Sequence, residues 1–511
     1  MAERLWQTIT WSLLIGIILS FALELLLNPR PLLPWQRPCS AVMLHLGIWL
    51  MLYSPLLMLL RRPWFASFSL LAFQILVIQI SNAKYRSLRE PFTYQDFSYF
   101  VDAILYPRLY LPFLGVWSSV MVIFAVGMAA ITGLLIEQPS AMQLAGVGSM
   151  VTIITGAGLA LLGAIGRVRL LLDPGEDLAN LGLLPSLWHY GFAERQPWKG
   201  RETTCFSTES HQTEGVLPNL VAIQSESFFD ARRWNAGISP ELLRNFDNLR
   251  QSSVLHGQLE VPAWGANTVR TEFAFLSGIA NDQLGIHRFN PYRRLARQGL
   301  PTLVGYLKKL GYRTVCLHPY SAQFYGRDKV FTQMGFDEFI DISRFSGSDY
   351  VGQYVGDVAV AREVCGELAR HDGSESLPVF LFVITMENHG PLHLEQALPE
   401  DRQRLYTTGQ PQGCDDLTVY LRHLEQADQM FGSVQEQLES MGRGGWLCLY
   451  GDHLPIMPEV FRRLGAPDGT TDYLVWSNQQ QAGTLSSSLK VEQLPVLLAQ
   501  FMGSLCRHES R

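Results

Sequence analysis

The hydrophobic pattern of the chain changes character about a third of the way along. Apolar runs occupy residues 8–27, 41–60, 64–82, 112–136 and 144–166, each near the ~20 residues that a helix needs to cross a bilayer. Five such runs in succession predict an α-helical membrane domain of five transmembrane helices over residues 1–166. The first run is long for the core of a signal peptide and four more follow it, so it reads as a retained span. Residues 167–215 interleave charge with leucine (R-V-R-L-L-L-D-P-G-E-D-L) and then carry Trp188, Tyr190 and Trp198. These aromatic residues favour the headgroup layer. The segment is therefore expected to be an interfacial linker, built either of short helices lying on the membrane or of a loop with aromatic anchors.

From residue 216 to 511 the pattern is that of alternating strands and helices. V-L-P-N-L-V-A-I-Q-S, Y-R-T-V-C-L-H, L-P-V-F-L-F-V-I-T, G-W-L-C-L-Y and Y-L-V-W-S read as strands, most of them continuous apolar runs. T-L-V-G-Y-L-K-K-L and residues 416–440 have helical periodicity, and 490–503 reads as a closing helix. Strands of this kind separated by helices predict an α/β domain whose mostly parallel central sheet is covered on both faces. Functional groups then belong at the carboxyl ends of the strands.

Composition narrows the function only modestly. A net charge of −6 gives no basic surface for nucleic acid. The seven cysteines form no C-x-x-C pair. Cys316 and Cys448 lie in apolar strands and read as buried thiols, whereas Cys205, Cys365, Cys414 and Cys506 are free to pair in an oxidising compartment. Charge bias does not fix the topology. With the N-terminus inside, the inner loops hold Arg4, Arg61 and Arg62. The outer side then holds Arg30, Arg37, Lys84, Arg86, Arg89, Arg108, Arg167 and Arg169, which counts against that orientation.

Candidate chemistry gathers where strands run out into loops. Glu226 ends N-L-V-A-I-Q-S-E, and Asp452 and His453 end W-L-C-L-Y-G-D-H. Thr268 lies in W-G-A-N-T-V-R-T-E-F, a glycine-bearing loop that opens a helix. Two carboxylates, an imidazole and a hydroxyl suit a single divalent cation. Coordination would also activate the threonine, a poor nucleophile on its own. Asn267 and Thr268 occupy positions at the start of the helix, so a phosphoryl group on Thr268 would face its positive end. A second group comprises His318 in H-P-Y, Tyr325 and Arg327 in F-Y-G-R-D-K, and His389 in E-N-H-G-P. Arg327 is expected to hold phosphate oxygens with its fork, and the histidines to bind hydroxyls or phosphate or to move protons. His287, His371 and His423 lack this placement and read as structural or surface residues.

These motifs resemble those of the lipoteichoic acid synthase and phosphoglycerol transferase family, whose members join five membrane helices to an external sulfatase-like, alkaline-phosphatase-type domain. S-E-S-F resembles the metal-binding glutamate motif, G-A-N-T-V-R-T-E-F the nucleophile segment, and Y-G-D-H the paired metal ligands. F-Y-G-R-D and N-H-G-P resemble substrate-pocket segments, with Tyr325 where lipoteichoic acid synthases have tryptophan. N-A-K-Y-R-S-L-R-E-P-F-T-Y-Q-D resembles a loop of glucan-modifying members. The resemblance implies a catalytic domain outside the cytoplasmic membrane, with one manganese or magnesium ion (zinc being used by related phosphoethanolamine transferases). It also implies phosphatidylglycerol as donor and a glycan or glycolipid as acceptor. The alternatives are phosphoethanolamine transfer, a sulfatase-like hydrolase, or a non-catalytic membrane sensor on the same fold. A true sulfatase is disfavoured by the lack of a C-x-P-x-R or S-x-P-x-R segment.

Overall fold

The computed structural model describes residues 2–107, 115–166, 168–198, 200, 206, 216–373, 376–479 and 485–501. The chain divides into two compact units, Met1–Pro197 and Trp198–Arg511.

The first unit is helical. Among the described residues four helices are long and apolar enough to cross a membrane: Trp6–Glu24, Cys39–Leu60, Pro63–Leu88 and Met142–Ile165. Five spans is therefore more than these criteria show. The expected run at 112–136 forms the helix Val116–Ile136, but several of its side chains, and residues 108–114, lie outside the described set. Small residues let two helices approach closely. A Cβ on Gly47 would lie 2.4 Å from the Ala160 backbone nitrogen, and one on Gly163 would lie 2.7 Å from that of Leu44. Such backbone contact is how helices associate where apolar burial gives no advantage over lipid. Two short helices, Pro174–Leu181 and Leu183–Arg195, follow within the predicted linker.

The second unit is built on a nine-stranded mixed sheet. Its strands are β1 (Asn219–Ser225), β2 (Leu255–Glu260), β3 (Arg313–Leu317), β4 (Glu338–Ile340), β7 (Val379–Ile384), β8 (Gly445–Gly451), β9 (Thr471–Ser477), β10 (Leu485–Ser486) and β11 (Leu489–Lys490). The short pair Tyr350–Val351 and Tyr354–Val355, β5 and β6, stands apart as a hairpin. The order is β10-β2-β9-β8-β1-β7-β3-β4, with β11 also against β2. The run from β8 to β4 is parallel, and β9 is antiparallel to both β8 and β2. Every residue of β1, β7, β8 and β9 is buried, as continuous apolar runs between two helical layers must be. One face packs against Asp357–Arg370 and Asp415–Ser440, and the other against Thr268–Ser277, Leu303–Lys309 and Leu494–Phe501.

β2 is absent from the predicted pattern because L-H-G-Q-L-E lacks an apolar run, and only two of its residues are buried. The predicted closing helix begins at Leu494 rather than 490, after a 3-10 turn at Val491–Gln493. Cys316 and Cys448 are buried as expected, and Cys365 and Cys414 carry free thiols. Cys205 and Cys506 lie outside the described residues.

Candidate metal and phosphoryl-transfer site

Strand register assembles the site. In the parallel pair β1 and β8, Ser225 stands opposite Gly451. The next residues, Glu226 and Asp452, therefore leave the sheet side by side. β7 flanks β1 on its other edge with Gln224 opposite Ile384, so Thr385 arrives beside them and its hydroxyl accepts the Glu226 N–H at 2.9 Å. β3 follows with Leu317 opposite Val383, which brings His318 to the same rim. Four neighbouring strands thus deliver their first loop residues to one place.

Glu226, Asp452 and His453 are buried, and each offers a ligand atom within 4.8 Å of the others. His453 Nε2 lies 3.2 Å from Asp452 Oδ2, 3.5 Å from Glu226 Oε1 and 3.4 Å from Thr268 Oγ1. Its Nδ1 meets the Leu454 carbonyl at 2.9 Å. Read as a donor there, the ring keeps a lone pair on Nε2, the nitrogen turned to the other three groups. Those separations match the edges of a tetrahedral shell with bonds of ~2.1 Å, which are ~3.4 Å long.

Two further observations fit a cation. Asp452 Oδ1 accepts the Ser227 N–H at 2.8 Å, but Oδ2 is buried with no hydrogen-bond partner among the described residues. Burial, and then the neighbouring Asp452 charge, push the Glu226 pKa well above the carboxylate range. Burial also raises that of Asp452, against the opposing pull of His453. Two buried carboxylates facing each other favour a positive charge between them.

Thr268 is the first residue of the helix Thr268–Ser277, and Asn267 is its N-cap. Asn267 caps in the left-handed region, at φ 64°, with no side-chain cap bond. The turn therefore rests on backbone strain that asparagine tolerates better than most residues. One turn into the helix, the Thr271 hydroxyl donates to the Asp452 carbonyl at 2.8 Å. The threonine-bearing helix is thereby tied to the loop that carries Asp452 and His453, two of the candidate metal ligands.

The second group of residues is only partly what the sequence predicts. Arg327 is buried, and its fork grips Glu272, with Nε 3.1 Å from Oε1 and Nη2 2.8 Å from Oε2. The remaining nitrogen, Nη1, meets His318 Nε2 at 3.1 Å. The fork expected to hold phosphate oxygens is thus occupied by a carboxylate of the protein. His318 spends its other nitrogen on the Ile384 carbonyl at 3.2 Å. With both nitrogens engaged, it is placed to support the rim rather than to shuttle protons. Burial, together with the Arg327 charge, holds its pKa well below the histidine range. Tyr325 adopts φ 59°, and its ring lies 5.2 Å from the Arg327 guanidinium carbon.

His389 is arranged differently. Its Nδ1 meets the Gly390 carbonyl at 2.7 Å and the Tyr354 hydroxyl at 3.3 Å, which leaves Nε2 for a ligand. Loss of water pushes its pKa down to about 4, helped by the charges of His453 and Arg327. His389 is thus neutral near pH 7.

Sequence reasoning misses three contributors. Ser227, held at φ 54°, donates its backbone N–H to Asp452 and its hydroxyl to Glu226 Oε1 at 3.0 Å; the S-E-S triplet was the available signal. Glu272 was visible only as the fourth residue after Thr268. Glu387, in E-N-H-G-P, accepts the Asp357 N–H at 2.6 Å, and both side chains are buried. Asp357 Oδ1 and Glu387 Oε1 have no partner among the described residues. Burial pushes the Asp357 pKa up to about 7.

Several known proteins are similar to this chain. The capsular polysaccharide biosynthesis protein RkpI of Rhizobium meliloti is 28% identical over 440 residues, 81% of this chain and 77% of that protein. Lipoteichoic acid synthase 1 of Bacillus subtilis is 27% identical over 190 residues, 36% of this chain and 28% of that protein. Among solved structures, the Streptococcus pyogenes phosphoglycerol transferase GacH in complex with sn-glycerol-1-phosphate aligns with 21% identity and a TM-score of 0.45, covering 61% of this chain and 79% of that one. The family described as sulfatase matches residues 218–503, more than half of the chain and nearly the whole second unit, including every metal-ligand candidate: this protein belongs to the sulfatase family.

Proposed function

We propose that the protein is a metal-dependent phosphoglycerol transferase. In this reading it moves glycerol phosphate from phosphatidylglycerol to a glycan or glycolipid of the cell envelope through a phospho-threonine intermediate. The observation that carries it is the convergence of Thr268 Oγ1 with three metal-ligand candidates at the rim of four strands. Glu226, Asp452, His453 and Thr268 would hold the ion, for which manganese or magnesium is the first expectation and zinc the second. Bound there, the ion would lower the pKa of the threonine hydroxyl and offset charge on the phosphoryl oxygens.

The chain's own residues supply the rest. Thr268 Oγ attacks phosphorus, a new O–P bond forms, and the bond to the diacylglycerol oxygen breaks. The proton released by the Thr268 hydroxyl passes to the departing oxygen, which leaves as diacylglycerol. An acceptor hydroxyl then attacks the phospho-threonine, forming its own O–P bond and breaking that to Thr268 Oγ. Its proton passes through His389 Nε2, the base we assign, to Oγ, which restores the threonine hydroxyl. The amides at the start of the helix Thr268–Ser277 face the phosphoryl group and stabilise its charge. An envelope glycan as acceptor is supported by the relative's role in capsular polysaccharide biosynthesis, and a phosphoglycerol donor by the motifs that resemble those of the phosphoglycerol transferase family.

Phosphoethanolamine transfer is the second reading, and one observation favours it. The buried carboxyls of Glu387, two residues before His389, and of Asp357, whose N–H Glu387 accepts, are the kind of groups an ammonium headgroup would seek. The test is to supply phosphatidylglycerol and phosphatidylethanolamine together to the full chain in mixed micelles. Lipid analysis and intact-mass analysis of the protein would follow. We expect loss of phosphatidylglycerol, appearance of diacylglycerol and a glycerophosphoryl adduct on Thr268. Preferential loss of phosphatidylethanolamine, with the corresponding adduct, would overturn the donor assignment.

A further inference from the structure

We propose that Glu272 is a positioning residue, which locks Arg327, and through it His318 and Tyr325, in register with the nucleophile Thr268. The inference rests on the phosphoryl-transfer reading of the site and adds a residue which that chemistry does not itself name. Thr268 and Glu272 are four apart on one helix, one turn separating them on the same face. Glu272 is completely buried, yet it does not turn toward the ion site. Both oxygens are spent on other side chains of the protein. Oε1 takes the Tyr292 hydroxyl and Arg327 Nε, and Oε2 takes Arg327 Nη2 at 2.8 Å and Gln224 Nε2 at 3.5 Å. Gln224 is in turn held by the Tyr450 hydroxyl at 2.8 Å. The carboxylate therefore joins the nucleophile helix to β1, and through Gln224 and Tyr450 to β8, the two strands that end in the metal ligands.

Arg327 then carries the connection to the pocket wall. Its Nη1 fixes His318, and its guanidinium lies over the ring of Tyr325. Tyr325 sits at φ 59°, a conformation costly for a bulky side chain. Its ring is packed on Phe324 at 4.1 Å as well as on Arg327, so a strained backbone is retained where this network grips it. A pair serving charge balance alone needs no such branching. This one ties four separate segments to the residue one turn from Thr268.

The roles separate experimentally. In Glu272→Asp the charge stays but the carboxylate retreats by one methylene, so the two-point grip on Arg327 cannot be kept without moving the helix. In Glu272→Gln/Arg327→Gln the buried charge pair is removed as a unit. Both variants, as full chains in detergent, would be assayed for melting temperature, Mn2+ affinity and turnover of bis-p-nitrophenyl phosphate, a diester independent of lipid headgroup. We expect Glu272→Asp to melt near wild type with KM within about twofold, while kcat falls at least ~10-fold. The double variant should melt above Glu272→Gln alone without regaining kcat. Mn2+ affinity should fall severalfold in both, because Thr268 is a ligand. Variants whose kcat and Mn2+ affinity both stay within about twofold of wild type would overturn the proposal. A wild type that cleaves the aryl diester but neither phospholipid would sink the donor assignment and leave this result standing. If wild type cleaves no diester, unchanged Mn2+ affinity in the variants overturns the proposal by itself.

Discussion

In the proposed mechanism a single hydroxyl at the head of a helix has two duties, and they respond differently to substitution. Thr268 Oγ1 is proposed both as the nucleophile and as one of four donors around the ion position. Thr268→Ala should therefore lower turnover by ~10³-fold or more, as removal of a nucleophile does. Ion binding should survive in part, because Glu226, Asp452 and His453 keep their geometry. Thr268→Ser retains the oxygen and loses only a methyl group, so a measurable fraction of the rate should remain. Initial rates with the phosphatidylglycerol donor, beside Mn2+ titration calorimetry of the same preparations, separate the two effects. Alanine turnover within a few fold of wild type would exclude a covalent threonine intermediate.

At the scale of elements, the ligands are aligned by strand ends that leave little room. A Cβ on Gly451, the last residue of β8, would lie 1.8 Å from the Phe228 carbonyl oxygen and 3.0 Å from Thr471 Cβ. The Ser227–Phe229 turn and the end of β8 are thus packed backbone to backbone, which sets Ser227 against Asp452. Gly451→Ala must push them apart. Overpacking of this kind costs about 1–3 kcal/mol, and the displacement falls on the ligand pair. We expect a lowered melting temperature and a smaller stabilisation by Mn2+ than in wild type, since bound ion protects only a formed site. Thermal melts with and without the ion would show it; an unchanged melt and an unchanged ion-dependent shift would mean that the strand end yields freely. This packing also marks what the sequence reveals. β1, β7 and β8 are legible because burial on both faces leaves continuous apolar runs, and Glu226, Asp452 and His453 are legible because such strands end in the loops that hold them. β2 is hidden by its polar composition. Glu272 and Arg327 are 55 positions apart, and nothing in either local pattern says that the fork meant for phosphate closes on a carboxylate.

The topology of the chain depends on the number of crossings, and hydrogen bonds within the first unit sort the helix ends into two groups. At one end, Ser140 N–H meets the Arg61 carbonyl at 2.7 Å, and the Glu137 carboxylate accepts the backbone N–H groups of Trp64 and Phe65 at 3.0 and 2.8 Å. At the other, Asn82 accepts the Asn28 N–H at 2.8 Å, the Leu32 N–H meets the Ala179 carbonyl at 2.8 Å, and Glu24 accepts the Leu183 N–H at 2.8 Å. The helix Val116–Ile136 ends beside the 61–65 turn. The chain leaving Met142–Ile165 arrives beside residues 24–32, where the first helix also ends. We propose Val116–Ile136 as a fifth pass, which these contacts allow; an odd number of passes would put the two ends of the first unit on opposite sides. Counting only the four helices that meet the length and hydropathy criteria would put them on the same side. With the external catalytic domain that the family resemblance implies, we expect an alkaline phosphatase fused after residue 511 to be active outside the cytoplasm, and a reporter inserted at residues 138–139 to remain inside. The excess of arginine on the outer side opposes this arrangement, so the pair of fusions is a stringent test. Fluorescence at the C-terminus from a reporter that matures only in the cytoplasm would reverse the topology. It would also place the site away from any envelope glycan, removing the acceptor proposed for it.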